Sequence, residues 1–152
     1  MKNIIELPAW PNFSREESLA VSRVIDSNKV NYWTGNECRE FESEFSKWTG
    51  ASYSIALSNG TVALELALIA IGIRKNDEVI VTPRSFIASA SCVISTGAKP
   101  VFAEIDRNSG NITAESILEV ITPRTKAVIC VHLAGWPCDM DPIMDIAKKN
   151  NL

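Results

Sequence analysis

Asn59, Gly60 and Thr61, in the stretch LSNGTVALELAL, are small and polar and stand directly before an apolar run with helical spacing. Glycine lets another group approach the main chain, and a helix N-terminus offers unpaired amide hydrogens beside a partial positive charge. A phosphate suits such a place, although a plain capped helix needs the same residue types. A second candidate is Phe86 in VTPRSFIASAS. A flat ring beside a phosphate cup favours a phosphorylated heteroaromatic ligand, because offset stacking adds about 0.5–1.5 kcal/mol beyond burial. An ordinary core phenylalanine is the competing assignment. LSNGT has one glycine where the GxGxxG turn needs three, and no Gly-Lys-Ser/Thr follows it, so neither NAD binding nor nucleotide triphosphate hydrolysis is indicated. Glu104, Asp106 and Asp139 lie near strand ends, where carboxylates serve catalysis or cap turns.

These residues need a scaffold, and the alternation of short apolar runs with amphipathic stretches supplies one. Strands are expected at 52–57, 78–82, 100–105 and 126–133, the last (AVICVHL) reading as the most buried. Helices are expected at 61–71, ended by Gly72, at 86–95, at 113–121 with Thr113 as N-cap, and at 139–150. Continuous apolar strands joined by helices of about three turns point to a mainly parallel α/β sheet flanked by helices. Ligands of such sheets sit at the carboxyl ends of the strands, which is where LSNGT falls in this scheme. Ahead of the sheet, 14–27 and 35–48 read as amphipathic helices, with Phe41, Phe45 and Trp48 of the second most simply core.

Composition narrows the function classes. The chain has 152 residues, 46% of them hydrophobic, enough for a real core. Fifteen basic residues against 18 acidic ones give a net charge of -3, and no basic block is present, so nucleic acid is not an expected partner. Neither a leader-like apolar core nor a run of about 18 apolar residues occurs, and a cytoplasmic protein without a membrane segment is expected. Cys38, Cys92, Cys130 and Cys138 are scattered and read as free thiols; with His132 the only histidine, no metal is expected.

The blocks LSNGTVALELAL, DEVIVTPRSFIASASCVISTGAKPVFAEID and AVICVHLAGWPCDMD, preceded by YWTGNECREFESEFSKWTG, together resemble the pyridoxal-phosphate-dependent nucleotide-sugar aminotransferases of the DegT/StrS type, with wording like that of the perosamine synthases and their neighbours. The resemblance covers nearly the whole chain. It implies a helical entry segment over 1–50 and, over 51–152, the first part of the large cofactor-binding α/β domain of a fold-type I aminotransferase. It also implies that Gly60 and Thr61 bind the cofactor phosphate through backbone amides, that Phe86 stacks on the pyridine ring, and that Trp33, Thr34 and Gly35 lie near the sugar. The implied partners are a nucleotide-linked keto-sugar, an amino donor such as glutamate, and a second copy of the chain in a homodimer.

In such enzymes a later strand carries an aspartate that pairs with the pyridine nitrogen, and a later loop carries the Schiff-base lysine. Neither is expected within these residues, which stop at Leu152 where the alternation calls for another strand. No catalytic residue is therefore assigned, and the 152 residues alone are expected not to transaminate. Two alternatives stay open: an inactive truncated module that binds a phosphorylated ligand or a partner chain, and a regulatory sugar-binding protein on the same fold.

Overall fold

A computed structural model describes residues 9–152, which form two compact units divided between Ala56 and Leu57. The first holds α1 (Arg15–Asp26) and α2 (Glu37–Thr49). Ser14 starts α1 with a capping box: its hydroxyl accepts from the Glu17 amide at 3.2 Å while the Glu17 carboxylate accepts from the Ser14 amide at 2.6 Å. Gly50, in the left-handed region at φ 72°, ends α2. Phe41, Phe45 and Trp48 do not form a core among the described residues. They are 56%, 43% and 80% exposed, packed ring beside ring along α2 in tilted pairs at centroid separations of 5.7 and 5.5 Å. Helical spacing placed them on one face, but it carries no information about what covers that face.

The second unit runs α3 (Gly60–Ala70), β1 (Glu78–Val81), α4 (Ala88–Ser95), β2 (Lys99–Phe102), α5 (Ala114–Val120), β3 (Thr125–Ile129) and α6 (Met140–Asn150), with one 3-10 turn at Leu133–Gly135. The strands form a parallel sheet in the order β2-β1-β3. From β1 to β2 the chain steps one way across the sheet, and from β2 to β3 it steps back. Crossovers of one hand then place their helices on opposite faces. The two core clusters show this division. Val79 and Val81 pack with Leu68, Cys92 and Val93 of α3 and α4, while Ile80 packs with Ile117, Ile143 and Ile146 of α5 and α6. The period of two along β1 thus feeds both faces, and all four of its residues are buried.

Three expectations change. Residues 52–57 form no strand, and Tyr53 and Ile55 are exposed: a strand needs a ladder partner, and none of the three strands serves it. LSNGT accordingly follows an irregular segment outside the sheet. The most buried strand is β1, not 126–133, because β1 is paired on both edges whereas β3 has one neighbour. Residues 103–105 leave the sheet, and Ile105 instead bridges antiparallel to Ile112, closing the loop at 106–111.

At the amino edge, Glu78 is an acidic residue inside the core, its side chain 2% exposed. The Arg124 guanidinium donates to one of its oxygens from Nη2 at 2.7 Å and from Nε at 3.1 Å, and the Thr122 hydroxyl donates to the other. Those bonds, that from Thr122 foremost, hold the Glu78 carboxyl below its ordinary pKa.

Candidate functional site at the carboxyl edge of the sheet

All three strands point their carboxyl ends to one edge. The loop after β1 leads to α4 on one face, and the loops after β2 and β3 lead to helices on the other, which opens a crevice between them. A cleft of about 660 Å³ lies there, lined by Arg84 after β1, Asp106 and Ser109 after β2, and Leu133, Ala134 and Trp136 after β3.

The loop after β1 carries Phe86. Helix α4 starts at Ala88, later than the sequence spacing suggested, and the Ser89 amide closes a tight turn onto the Phe86 carbonyl at 3.0 Å. Phe86 is 74% exposed, so it is not a core residue. Its neighbours are anchored: Thr82 is buried and accepts from the Arg84 amide at 3.3 Å, and the Ser85 and Ser89 hydroxyls are 2.7 Å apart.

At the start of α3 the Asn59 side chain accepts from the Val62 amide at 3.0 Å, and the Asn59 carbonyl accepts from Ala63. Among the described residues the Gly60 and Thr61 amides have no partner. Nothing lies within 4 Å of the position a Gly60 β-carbon would take. Asn59 therefore caps the helix and leaves two amides open, so the capped-helix and anion assignments are compatible in one turn.

The other two walls are tied together by Asn111, which is 3% exposed. Its amide nitrogen donates to the Trp136 carbonyl at 2.9 Å and its oxygen accepts from the Leu133 amide at 3.2 Å. Between those contacts Ala134 and Gly135 both take positive φ, 51° and 82°. A non-glycine residue there is strained by order 1 kcal/mol, which the Asn111 staple offsets. Asp106 is a turn residue: one of its oxygens accepts from the Asn108 amide and from the Ser109 amide and hydroxyl, at 3.1, 2.7 and 2.9 Å. The Ser109 bonds, the backbone one foremost, lower its pKa. Glu104 is exposed, and Asp139 precedes α6 without a capping bond from its side chain. His132 Nδ1 accepts from the Cys138 amide at 3.0 Å. Burial pushes the neighbouring Cys130 thiol up to about 11, with Cys138 adding to it. Among the described residues no group of three His, Cys, Asp or Glu stands together as a metal would need.

Trp33, Thr34 and Gly35 belong to the first unit. One Asn31 oxygen accepts from the Trp33 and Thr34 amides at 3.0 and 3.1 Å, and Trp33 is 85% exposed. A β-carbon on Gly35 would lie 2.3 Å from the Lys29 carbonyl oxygen, so the turn closes only with glycine. Tyr32 supports it, donating to Glu42 at 3.3 Å beneath the Arg39 guanidinium, which lies 4.9 Å from the ring centroid.

Residues 5–152 match the model of the DegT/DnrJ/EryC1/StrS aminotransferase family. The chain belongs to this family. A GDP-perosamine synthase of Caulobacter vibrioides is 49% identical over 144 residues, covering 95% of this chain and 38% of the relative. An aminotransferase structure from Psychrobacter cryohalolentis superposes with a TM-score of 0.93 at 58% identity, over 97% of this chain and 37% of that one. NtdA from Bacillus subtilis, solved with the bound cofactor PMP, gives a TM-score of 0.84 at 32% identity, over 91% and 32%. The chain thus spans about a third of the length of these relatives.

For a member of this family, the lysines of the second unit stand in telling places. Lys99 opens β2, Lys126 stands near the start of β3 and Lys75 precedes β1, so all three lie at the amino edge; Lys148 and Lys149 fall in the last turn of α6. None is on the carboxyl-edge loops. Sequence reading passed over Arg84 and Asn111, both in loops. Asn111 lies in the turn-rich stretch RNSGN, and its partner Trp136 is 25 residues away.

Proposed function

We propose that the whole protein transfers an amino group, with glutamate as donor, to a nucleotide-linked keto-sugar, using pyridoxal phosphate, in the making of deoxyamino sugars for surface polysaccharide. Membership of a sugar-aminotransferase family, with relatives such as the GDP-perosamine synthase, supports the reaction class. The observation that carries it to this chain's own residues is an open pair of amides at the start of α3 together with an outward-facing Phe86 in the same unit.

Those residues fit a phosphorylated aromatic ring. The Gly60 and Thr61 amides would hold the phosphate oxygens, with the positive end of the α3 dipole behind them. Room for that approach is given by the empty space over Gly60. Phe86 would lie against the ring and exclude water from one face. When bound, the cofactor supplies the reversible exchange of an amino group and a sink for electrons at the carbon that loses its proton. Residues 1–50 would present Trp33, Thr34 and Gly35 to the sugar, and residues 51–152 would hold the cofactor. We assign a homodimer working in the cytoplasm, where four unpaired thiols stay reduced.

By this reading the 152 residues alone bind without turnover, since the second unit's lysines sit away from the carboxyl edge. The test is to give the whole protein pyridoxal phosphate, glutamate and a nucleotide-linked keto-sugar and follow the sugar by mass. Replacement of the ketone by an amine supports the proposal. A whole protein that holds the cofactor yet aminates no keto-sugar overturns it.

A further inference from the structure

Two charged residues line the carboxyl-edge cleft, and they are not equivalent. Asp106 is engaged by its own turn, with three donors on one oxygen. Arg84 is exposed, and among the described residues its guanidinium makes neither a hydrogen bond nor an ion pair. The cleft's unanswered charge is therefore positive.

Arg84 is also seated. Gly110 is buried and holds φ +73°, and a β-carbon there would come within 2.6 Å of Arg84 Nη1 and 2.9 Å of Leu133 Cδ2. The guanidinium thus lies over the bare backbone of the 106–111 loop, in space that only glycine leaves open. That loop is in turn locked to the opposite wall through Asn111, and Trp136, 67% exposed, stands on that wall. An arginine serving solubility alone needs no such recess. Its planar fork of donors, held at the mouth of a cleft with an aromatic side, matches an oxyanion carried on a larger molecule.

We propose that Arg84 is a substrate-binding residue that takes an oxyanion of one of the two substrates, either the diphosphate of the nucleotide-linked sugar or a carboxylate of the amino donor. This rests on the function proposed above, but its test does not require turnover. Whole protein loaded with pyridoxal phosphate is titrated calorimetrically with inorganic pyrophosphate and, separately, with glutarate, as wild type, Arg84→Ala and Arg84→Lys. Arg84→Ala should weaken one probe roughly tenfold or more, with cofactor affinity and thermal midpoint unchanged. Loss confined to pyrophosphate assigns the nucleotide diphosphate, and loss confined to glutarate assigns the donor. Arg84→Lys should recover part of the loss, since it keeps the charge but not the fork. Gly110→Ala should weaken the same probe, because its added carbon occupies the seat, and should also lower the thermal midpoint through the strain of alanine at φ +73°. Failure of wild type to bind either probe, or binding that Arg84→Ala leaves unchanged, overturns the inference. Absence of sugar amination alongside an Arg84-dependent anion site would count against the proposed reaction instead.

Discussion

Asn111 donates from its side-chain amide to the Trp136 carbonyl at 2.9 Å, joining the loop after β2 to the loop after β3 across the cleft. The same amide accepts from Leu133, so one buried residue fixes both ends of a turn that contains the left-handed Ala134.

Asn111→Ala should therefore destabilise the fold by about 1–3 kcal/mol, the cost of leaving buried polar groups without partners. Asn111→Asp should also destabilise, because it keeps the acceptor for Leu133 but sets a carboxylate against the Trp136 carbonyl. Urea unfolding of the wild type and both variants measures this. Variants within error of wild type would show that the turn holds without the staple.

The Glu78 carboxylate gives a pH signature. Its folded pKa lies below the ordinary 4.5, chiefly through the Thr122 hydroxyl and then Arg124. Its stabilisation is therefore complete above that ordinary value and is lost as pH falls through the depressed one. Glu78→Gln should lower the thermal midpoint at pH 7 and flatten its decline between about pH 5 and pH 3. Parallel midpoint curves for the two proteins would assign the acid sensitivity to other groups.

Asn59→Ala removes the side-chain acceptor for the Val62 amide and should cost about 1 kcal/mol. Gly60→Ala meets nothing within 4 Å and should leave stability within about 0.5 kcal/mol. Its effect should surface instead as weakened phosphate binding, since the added methyl would stand in the open space through which the proposed phosphate would approach. Chemical denaturation with and without inorganic phosphate separates the two effects. A Gly60→Ala protein destabilised without phosphate would mean that the turn is packed rather than open.

Much of this was legible in the chain, and the gaps have physical causes. Helix caps were readable because they are local: Thr113 and Gly72 act within a few residues of themselves. The α/β alternation was readable from periodicity. The absence of a strand at 52–57 was not, because pairing depends on a partner that local sequence cannot name. Phe41, Phe45 and Trp48 show the same limit, since an apolar face is visible in sequence and its cover is not. Gly60, Thr61 and Phe86 could be singled out from LSNGT and TPRSF. Arg84 could not, because what marks it is the glycine beneath it, 26 positions along the chain, a separation with no period to betray it.

At Phe86 cofactor binding separates from folding, because an exposed ring contributes little to stability while a stacked one contributes to binding. Cofactor affinity of the whole protein should be measured by titrating pyridoxal phosphate into wild type, Phe86→Ala and Phe86→Tyr, with unfolding of each recorded in parallel. The account predicts that Phe86→Ala changes stability by less than about 0.5 kcal/mol. It also predicts a loss of about 0.5–1.5 kcal/mol in cofactor binding, which Phe86→Tyr restores. Equal affinity in wild type and Phe86→Ala, or no binding by the wild type, would contradict it.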